Sequence, residues 1–293
     1  MVNIFISIAS YRDPDLVNTV RSAYENATQP DKLFFSILSQ SDMHPDLSFV
    51  PTKQLRYLQV SHEASKGACW AREITSRQLV GTYFLQIDSH SRFRKGWDSL
   101  VIANYRRAQA HYGERIFLTH YPDPFELKED GSTAYLGMPE HYKLNAYWHD
   151  GSKMVQGEWA LTEDTEHGDE QYFMSANCLF TRTEFMQEVP YDSELYFTGE
   201  EPSLALRAYT RGFKLISPVV KFMFTNYNRE NSKRPLHWND HNDWWQLNQQ
   251  SYKRLERIMK GEDMGIWGIG SQELYEDYMA RTGIDLRVQD YNI

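Results

Sequence analysis

The stretch YFLQIDSHSRFRKGW, residues 83 to 97, holds an apolar run that ends abruptly in an acid and a histidine. Tyr83–Ile87 has the continuous apolar character of a buried strand in a parallel sheet. Ligands of such sheets bind outside the carboxyl ends of the strands, which is where Asp88 falls. Residues i and i+2 of an extended segment point the same way, so Asp88 and His90 are predicted to reach one ion together.

A carboxylate paired with a neutral imidazole suits a divalent metal of borderline softness such as Mn²⁺. Taken alone, the triplet is equally compatible with a turn cap at Asp88 and an ordinary polar His90. The motifs around it are needed to choose between these two interpretations.

The chain of 293 residues is acidic, with a formal net charge of −9 and a pI near 5.6. This charge disfavours extended binding to nucleic acid or to anionic membranes. The two cysteines, Cys69 and Cys178, suit a reducing compartment, although one disulfide is compatible with the sequence. No apolar run approaches the roughly 20 residues of a membrane span, and no basic flank precedes the apolar N-terminus. We therefore expect a cytoplasmic protein without a membrane span.

Apolar periodicity predicts strands that alternate with helices over the first 120 residues. Strands are predicted at Val2–Ala9, Leu33–Leu38, Leu55–Val60, Tyr83–Ile87 and Arg115–Thr119, with helices that include Gly67–Leu79 and Trp97–His111. This alternation predicts an α/β fold in which a mostly parallel sheet is flanked by helices.

The rest of the chain is predicted to be less regular before it ends in helices. Residues 121–170 are predicted as long loops with a few strands, and residues 172–181 as a strand. Helices are predicted at Pro202–Arg211, Asp243–Lys260 and Gln272–Arg281. We predict a catalytic domain over residues 1–235, with a donor half (1–120) and an acceptor half (121–235). A helical extension over residues 236–293 is expected to pack on it.

Two further motifs carry residues suited to binding an anion or a sugar. SKGACWAREI (65–74) places Gly67 before a helix that bears Arg72, whose guanidinium can pair with phosphate oxygens. YFTGEEPSLALRAYTRGF (196–213) places Glu200 and Glu201 after Gly199, which permits a tight turn. A surface salt bridge is the alternative for Arg72.

These motifs resemble, in order and spacing, the donor-binding half of the polypeptide N-acetylgalactosaminyltransferases. Over most of its length the chain more closely resembles glycosyltransferase family 60, whose members include cytoplasmic N-acetylglucosaminyltransferases that modify hydroxyproline. The segments that carry this resemblance are ISIASYRDPDL (6–16), LQIDSHSRF (85–93), GEEPSLALRAYTRGF (199–213) and GIWGIGSQELYEDYMARTGIDL (265–286).

The resemblance implies the A-type glycosyltransferase fold, a UDP-sugar donor and a divalent cofactor, Mn²⁺ or Mg²⁺. The donor-binding residues that it implies are Ser10, Tyr11, Arg12, Asp13, Gln40, Gly67, Arg72, Asp88, Ser89, Ala176 and Asn177. The catalytic residues that it implies are Arg72 for the diphosphate, Glu200 for sugar hydroxyls and Glu201 for the acceptor side. Helix capping is the alternative role for Asp13.

The resemblance also implies that Asp88 and His90, as a DXD-like motif, bind the metal, with a third ligand from the loop after a predicted strand at Leu215–Phe224. His237 is the first candidate for the third ligand because Pro235 and Trp238 flank it. The other two candidates are His241 and Asn226.

The reaction implied is transfer of N-acetylglucosamine from UDP to a hydroxyl of hydroxyproline or of a glycan, with retention of anomeric configuration. The leaving phosphate takes the acceptor proton, so no general base is assigned. One alternative is a metal-dependent hydrolase whose two-metal site would draw on Asp88, His90, His120, His141, His149, His237 and His241. Another is a carbohydrate-binding protein that keeps the fold without catalysis.

Overall fold

The computed structural model describes residues 3–137, 140–228 and 234–291. The strands are β1 Ile4–Tyr11, β2 Leu33–Gln40, β3 Leu55–Val60, β4 Tyr83–Asp88, β5 Ser91–Phe93, β6 Ile116–Thr119, β7 Asp123–Leu127, β8 Thr133–Tyr135, β9 Tyr142–His149, β10 Met154–Leu161, β11 Glu170–Gln171, β12 Cys178–Arg182, β13 Lys214–Ile216 and β14 Met223–Thr225. The helices are α1 Leu16–Glu25, α2 Ala68–Thr75, α3 Trp97–Tyr112, α4 Glu200–Thr210, α5 His237–Asp240, α6 Trp244–Met259 and α7 Gln272–Thr282. No helix in these ranges is long and apolar enough to cross a membrane.

Eight strands form the main sheet in the order β11-β13-β6-β12-β4-β1-β2-β3. Strands β4, β1, β2 and β3 run parallel to one another, whereas β12 runs antiparallel to both of its neighbours. The predicted α/β fold is confirmed, and its parallel part is the donor half. Short strands β5, β14, β7 and β8 form a second sheet, and β9 pairs with β10 as a hairpin.

The register of the parallel strands brings three polar strand ends to one edge. Tyr11 at the end of β1 pairs with Gln40 at the end of β2. On the other side of β1, Ala9 pairs with Asp88 at the end of β4. This edge is the position where parallel sheets bind ligands.

Alternating residues of the central strands face opposite sides of the sheet. Phe5 and Phe84 belong to one buried core cluster. Ile4, Ile6 and Leu85 belong to the other. Both faces of the parallel strands are therefore covered by apolar packing, which explains their continuous apolar sequence.

The middle of the chain contains more strand than was predicted. Residues 142–149 and 154–161 form the β9–β10 hairpin instead of loops. In β9 the buried positions are Leu144 and Ala146, two residues apart, and both pack into a core cluster. Period-2 burial of this kind is the signature of a strand, but it is spread over too few apolar residues to stand out in an aromatic and polar segment.

The strand predicted over residues 172–181 begins only at Cys178, so that prediction was wrong for its first half. Ser175 donates its backbone N–H to Thr119 Oγ1 at 2.8 Å, and the backbone N–H of Cys178 bonds to the Ser175 carbonyl. A side chain and a turn thus satisfy backbone groups that a strand would pair with its neighbours.

Helix α2 ends at Thr75, four residues earlier than predicted. The Arg56 guanidinium donates hydrogen bonds to the carbonyls of Ile74 and Arg77 and so satisfies groups at the end of the helix. At the C-terminus, Leu255 of α6 and Tyr275 of α7 are buried in one of the two core clusters. Whether residues 236–293 form a separate unit stays a prediction.

Candidate functional site

Two adjoining cavities lie at the edge where the parallel strands end. The first, of about 230 Å³, is the nucleotide cavity of the discussion below. It is lined by nine residues of the predicted site: Tyr11, Asp13, Gln40, Gly67, Arg72, Asp88, Ser89, His90 and His237. Its other lining residues include Tyr196, Phe197 and Leu236, which the sequence analysis did not select. The first two stand just before the Gly199-Glu200 motif, so proximity to that motif was the available signal.

The second cavity, the catalytic cleft, has a volume of about 590 Å³. It shares Arg72, Asp88 and His90 with the nucleotide cavity, so these side chains stand at the junction. Ala176, Asn177, Glu200 and Glu201 line the cleft, as do residues of β10 and Tyr227. Ser10 and Arg12 line neither cavity.

Asp88 and His90 lie on the same side of the chain, as their spacing predicts. Asp88 Oδ2 and His90 Nε2 are 3.5 Å apart. One divalent ion reaches both atoms, because its bonds to oxygen and nitrogen are about 2.0 to 2.2 Å long. On the other side of the ring, His90 Nδ1 lies 2.8 Å from Asp13 Oδ2. A carboxylate behind the second ring nitrogen is the usual arrangement for a metal-binding histidine, so the pair fits a metal.

Asp13 faces the metal pair and not solvent. Its side chain is 4% exposed and also accepts hydrogen bonds from Ser89 Oγ, at 2.7 Å, and from the Asp15 backbone. Burial opposes its ionisation, but the hydrogen bond with His90 prevails and holds the pKa of Asp13 below its usual range. The carboxylate therefore remains charged and orients the imidazole.

Arg72 connects the two acids of the junction. It donates to Asp88 Oδ1 at 2.6 Å and to Glu200 Oε1. Burial by itself would lower the pKa of Arg72, but Glu200 and Asp88 hold it well above its usual range. Burial raises the pKa of Glu200, and the guanidinium opposes this effect. With Oδ1 held by Arg72, the other oxygen of Asp88 is turned toward His90.

Glu201, next along α4, faces the catalytic cleft. Its Oε1 accepts the backbone N–H of Ala176 at 2.8 Å, which ties the first turn of α4 to the segment before β12. Burial raises the pKa of Glu201 to about 7. Asn177 lies beside it in the cleft wall, where its amide donates to Tyr227 Oη at 3.4 Å.

Gly67 is required where α2 begins against Tyr196. Its φ of +102° is a conformation that residues with a side chain rarely adopt. A Cβ on Gly67 would lie 2.5 Å from both the ring and the carbonyl oxygen of Tyr196. The glycine thus allows the chain to pass close enough to form the wall of the nucleotide cavity.

The residues after β1 are held by the C-terminal helices. Tyr11 Oη and Arg12 Nη1 both donate to Asp240 Oδ2 of α5, each at 2.7 Å. Gln40 is buried and bonds the carbonyl of Ser10 at 3.2 Å and Ser65 Oγ at 2.5 Å. Ser10 itself is 2% exposed.

The candidates for a third metal ligand occupy different positions. His237 Nδ1 lies 2.6 Å from Tyr196 Oη, and its ring stacks on His241 with 3.8 Å between centroids. His241 Nε2 lies 3.0 Å from the carbonyl of His62. The backbone N–H of Asn226 donates to the His90 carbonyl at 3.0 Å, so Asn226 is the candidate connected to the metal pair. The third ligand stays a prediction.

The histidines do not assemble into the two-metal site of a hydrolase. Among the described His, Cys, Asp and Glu side chains, the one trio with ligand atoms within 4.8 Å of one another is His111, Asp164 and His167, which was not predicted. His149 bonds Ser152 in the β9–β10 turn. Both cysteines are free and buried.

A protein-family model described as Glycosyltransferase (GlcNAc) matches residues 3–53 and 45–282. The chain belongs to this glycosyltransferase family. No curated protein sequence matches it significantly.

Solved structures of glycosyltransferases share the fold of the enzyme. A crystal structure of GalNAc-T7 with UDP, GalNAc and Mn²⁺ aligns over 100% of this chain and 52% of its own, with a TM-score of 0.63 and 16% identity. S. aureus TarS aligns over 96% of this chain and 43% of its own, with a TM-score of 0.56 and 11% identity. For TarS 1-349 in complex with UDP-GlcNAc the TM-score is 0.56 and the identity 10%, over 96% and 71% of the two chains. The enzyme thus spans about half or less of the GalNAc-T7 and full TarS chains, and the predicted A-type glycosyltransferase fold is confirmed.

Proposed function

We propose that the enzyme transfers N-acetylglucosamine from UDP-N-acetylglucosamine to a hydroxyl acceptor, with a divalent metal held by Asp88 and His90. The observation that carries the proposal is the metal pair at the junction of two cavities, with Asp13 behind it and Arg72 beside it. Structures of similar fold contain UDP with Mn²⁺ in one case and UDP-GlcNAc in another, which supports the choice of donor.

The nucleotide cavity is the proposed site of the uridine and the diphosphate. Its walls combine the ends of β1, β2 and β4 with Phe197 and Leu236, which suits a flat base and a polar tail. The sugar then extends into the catalytic cleft toward Ala176 and Asn177. The bond to be broken lies at the junction, beside Asp88 and Arg72.

The junction residues are arranged to stabilise a departing diphosphate. When bound there, a divalent ion supplies positive charge to the leaving group. Arg72, held in place by two carboxylates, directs its cationic face toward the same junction and requires little reorganisation. We propose that Glu200 accepts hydrogen bonds from sugar hydroxyls and that Glu201, deeper in the cleft, faces the acceptor.

A panel of nucleotide sugars, each with and without Mn²⁺, tests the proposal through release of UDP. We expect slow hydrolysis of UDP-N-acetylglucosamine even without an acceptor, and we expect that a chelator abolishes it. Hydrolysis that is equal with and without metal, or a preference for a sugar on a nucleotide other than UDP, would contradict the proposal. NMR of the product from an accepted acceptor reports whether the anomeric configuration is retained, as we propose.

Asp13→Asn is expected to weaken Mn²⁺ binding by about 10- to 100-fold, because the substitution removes the carboxylate that orients His90. Turnover at saturating Mn²⁺ should fall less than the affinity, since the ligands themselves remain. Free Mn²⁺ measured by electron paramagnetic resonance gives the affinity without relying on activity. Asp42→Asn is the matched control, because Asp42 bonds His62 at 2.6 Å on the surface. Equal Mn²⁺ affinity in both variants would exclude the positioning role.

Three narrower statements belong to the same proposal. We assign the chain to glycosyltransferase family 60 and divide it at residue 235, on the motifs of the sequence. A cytoplasmic location follows from the same family assignment. The described histidines do not favour the hydrolase alternative, because they are dispersed among separate hydrogen-bond networks.

A further inference from the structure

A smaller cavity beside the catalytic cleft has polar and aromatic walls that the proposed donor chemistry does not use. This side cavity is lined by His120, Asp123 and His141, and by the aromatic residues Tyr121, Tyr142 and Trp159. Tyr121 also lines the catalytic cleft, so the two spaces are neighbours on the acceptor side.

Several polar atoms of the side cavity have no hydrogen-bond partner in the described part of the chain. They are both ring nitrogens of His120, Nδ1 of His141 and Oδ2 of Asp123. His120 is 4% exposed and Asp123 is 3% exposed. Buried polar atoms are almost always satisfied, so a cluster of this kind points to a ligand. The hole between them has an accessible volume of about 10 Å³, roughly what one water-sized group needs.

The chemistry of the cluster matches a hydroxyl group better than a cation. Burial lowers the pKa of His120 to about 3, so its imidazole is neutral and offers one donor and one acceptor. Lys221 Nζ lies 2.8 Å from Asp123 Oδ1 and already brings a positive charge. The ligand atoms of His120, Asp123 and His141 also do not lie within 4.8 Å of one another, as one metal ion would require.

The rim of the side cavity is an aromatic surface. Trp159 is 45% exposed, and its ring centroid lies 5.0 Å from that of Tyr142 and 6.1 Å from that of Tyr121. An exposed aromatic face packs against the C–H face of a sugar ring, whose hydroxyls project from the edge toward polar partners. An aromatic face next to a hydroxyl-sized polar hole therefore fits one pyranose ring.

We propose that the side cavity is a carbohydrate subsite of the acceptor. One sugar ring lies on Trp159 and places a hydroxyl in the hole between His120 and Asp123. The neighbouring part of the acceptor then presents the hydroxyl to be glycosylated in the cleft near Glu201. The word acceptor rests on the proposed function, and the subsite favours a glycan over a protein hydroxyproline as the substrate.

Saturation-transfer NMR on the full chain tests the subsite without any turnover. The probes are the methyl glycosides of glucose, galactose, mannose and N-acetylglucosamine, with a peptide containing 4-hydroxyproline as the competing class. We expect at least one glycoside to bind, and Trp159→Ala to weaken that binding about tenfold. His141→Ala should weaken it as well, which guards against a fault specific to one variant. Trp245→Ala, which removes another exposed tryptophan, should bind like the parent protein.

Three results would overturn the subsite: no glycoside binds, Trp159→Ala binds as well as the parent, or only the hydroxyproline peptide loses binding in that variant. Release of UDP by the parent protein is recorded separately. If no sugar nucleotide is consumed while a glycoside binds through Trp159, the proposed function fails and the carbohydrate site stands. If UDP-N-acetylglucosamine is consumed and no glycoside binds, the subsite fails alone.

Discussion

Replacing Asp88 with Asn and His90 with Gln together is expected to lower Mn²⁺-dependent release of UDP from UDP-N-acetylglucosamine by about 1,000-fold or more. The two exchanges remove one charge and one imidazole from atoms that lie 3.5 Å apart at the junction of the cavities. A metal contributes several kcal/mol of transition-state stabilisation, and about 4 kcal/mol corresponds to that loss of rate. Mn²⁺ binding, measured by electron paramagnetic resonance, should be lost in the same variant.

The chain provides a matched control for this experiment. Asp164 and His167 also form an acid–imidazole contact, at 3.1 Å, but line neither the nucleotide cavity nor the catalytic cleft. The same exchanges there, Asp164→Asn with His167→Gln, should leave UDP release unchanged. If both double variants keep full activity, the metal pair is not the site of catalysis. If both lose activity and their melting temperatures fall, the loss reflects stability, and Mn²⁺ binding to the folded fraction then decides.

Arg72→Met is expected to lower the turnover of folded protein by at least about 100-fold, and also to lower its free energy of unfolding by about 3–5 kcal/mol. The substitution leaves Glu200, which is 4% exposed, without its cationic partner and releases Asp88 Oδ1. Denaturant unfolding gives the stability, and UDP release at saturating donor gives the turnover. The double variant Arg72→Met with Glu200→Gln should be more stable than Arg72→Met alone, because the uncompensated buried charge is removed.

Arg92 is the control for this second prediction. Its guanidinium forms a buried pair with Asp15, with contacts of 2.7 and 2.8 Å, outside both cavities of the site. Arg92→Met should therefore cost a comparable free energy of unfolding while the folded protein still turns over. If Arg72→Met and Arg92→Met lose turnover to the same degree, Arg72 has only a structural role.

Local patterns were sufficient for the donor half of the fold. The strands at Ile4–Tyr11, Leu33–Gln40 and Leu55–Val60 match the apolar runs that predicted them, because both faces of these strands are buried. The pattern was insufficient over residues 142–161, where each strand buries few side chains. A strand that is half exposed and rich in aromatic residues has no clear apolar period to detect.

For the site, the sequence by itself determined that Asp88 and His90 point the same way at a strand end, because this follows from backbone geometry two residues apart. Only the tertiary structure decided what holds them. Asp13 lies 77 positions from His90, and Arg72 lies 128 positions from Glu200. The side cavity likewise joins His120, His141 and Trp159 from separate segments. Contacts of this range depend on how strands and helices pack, and no local periodicity encodes them.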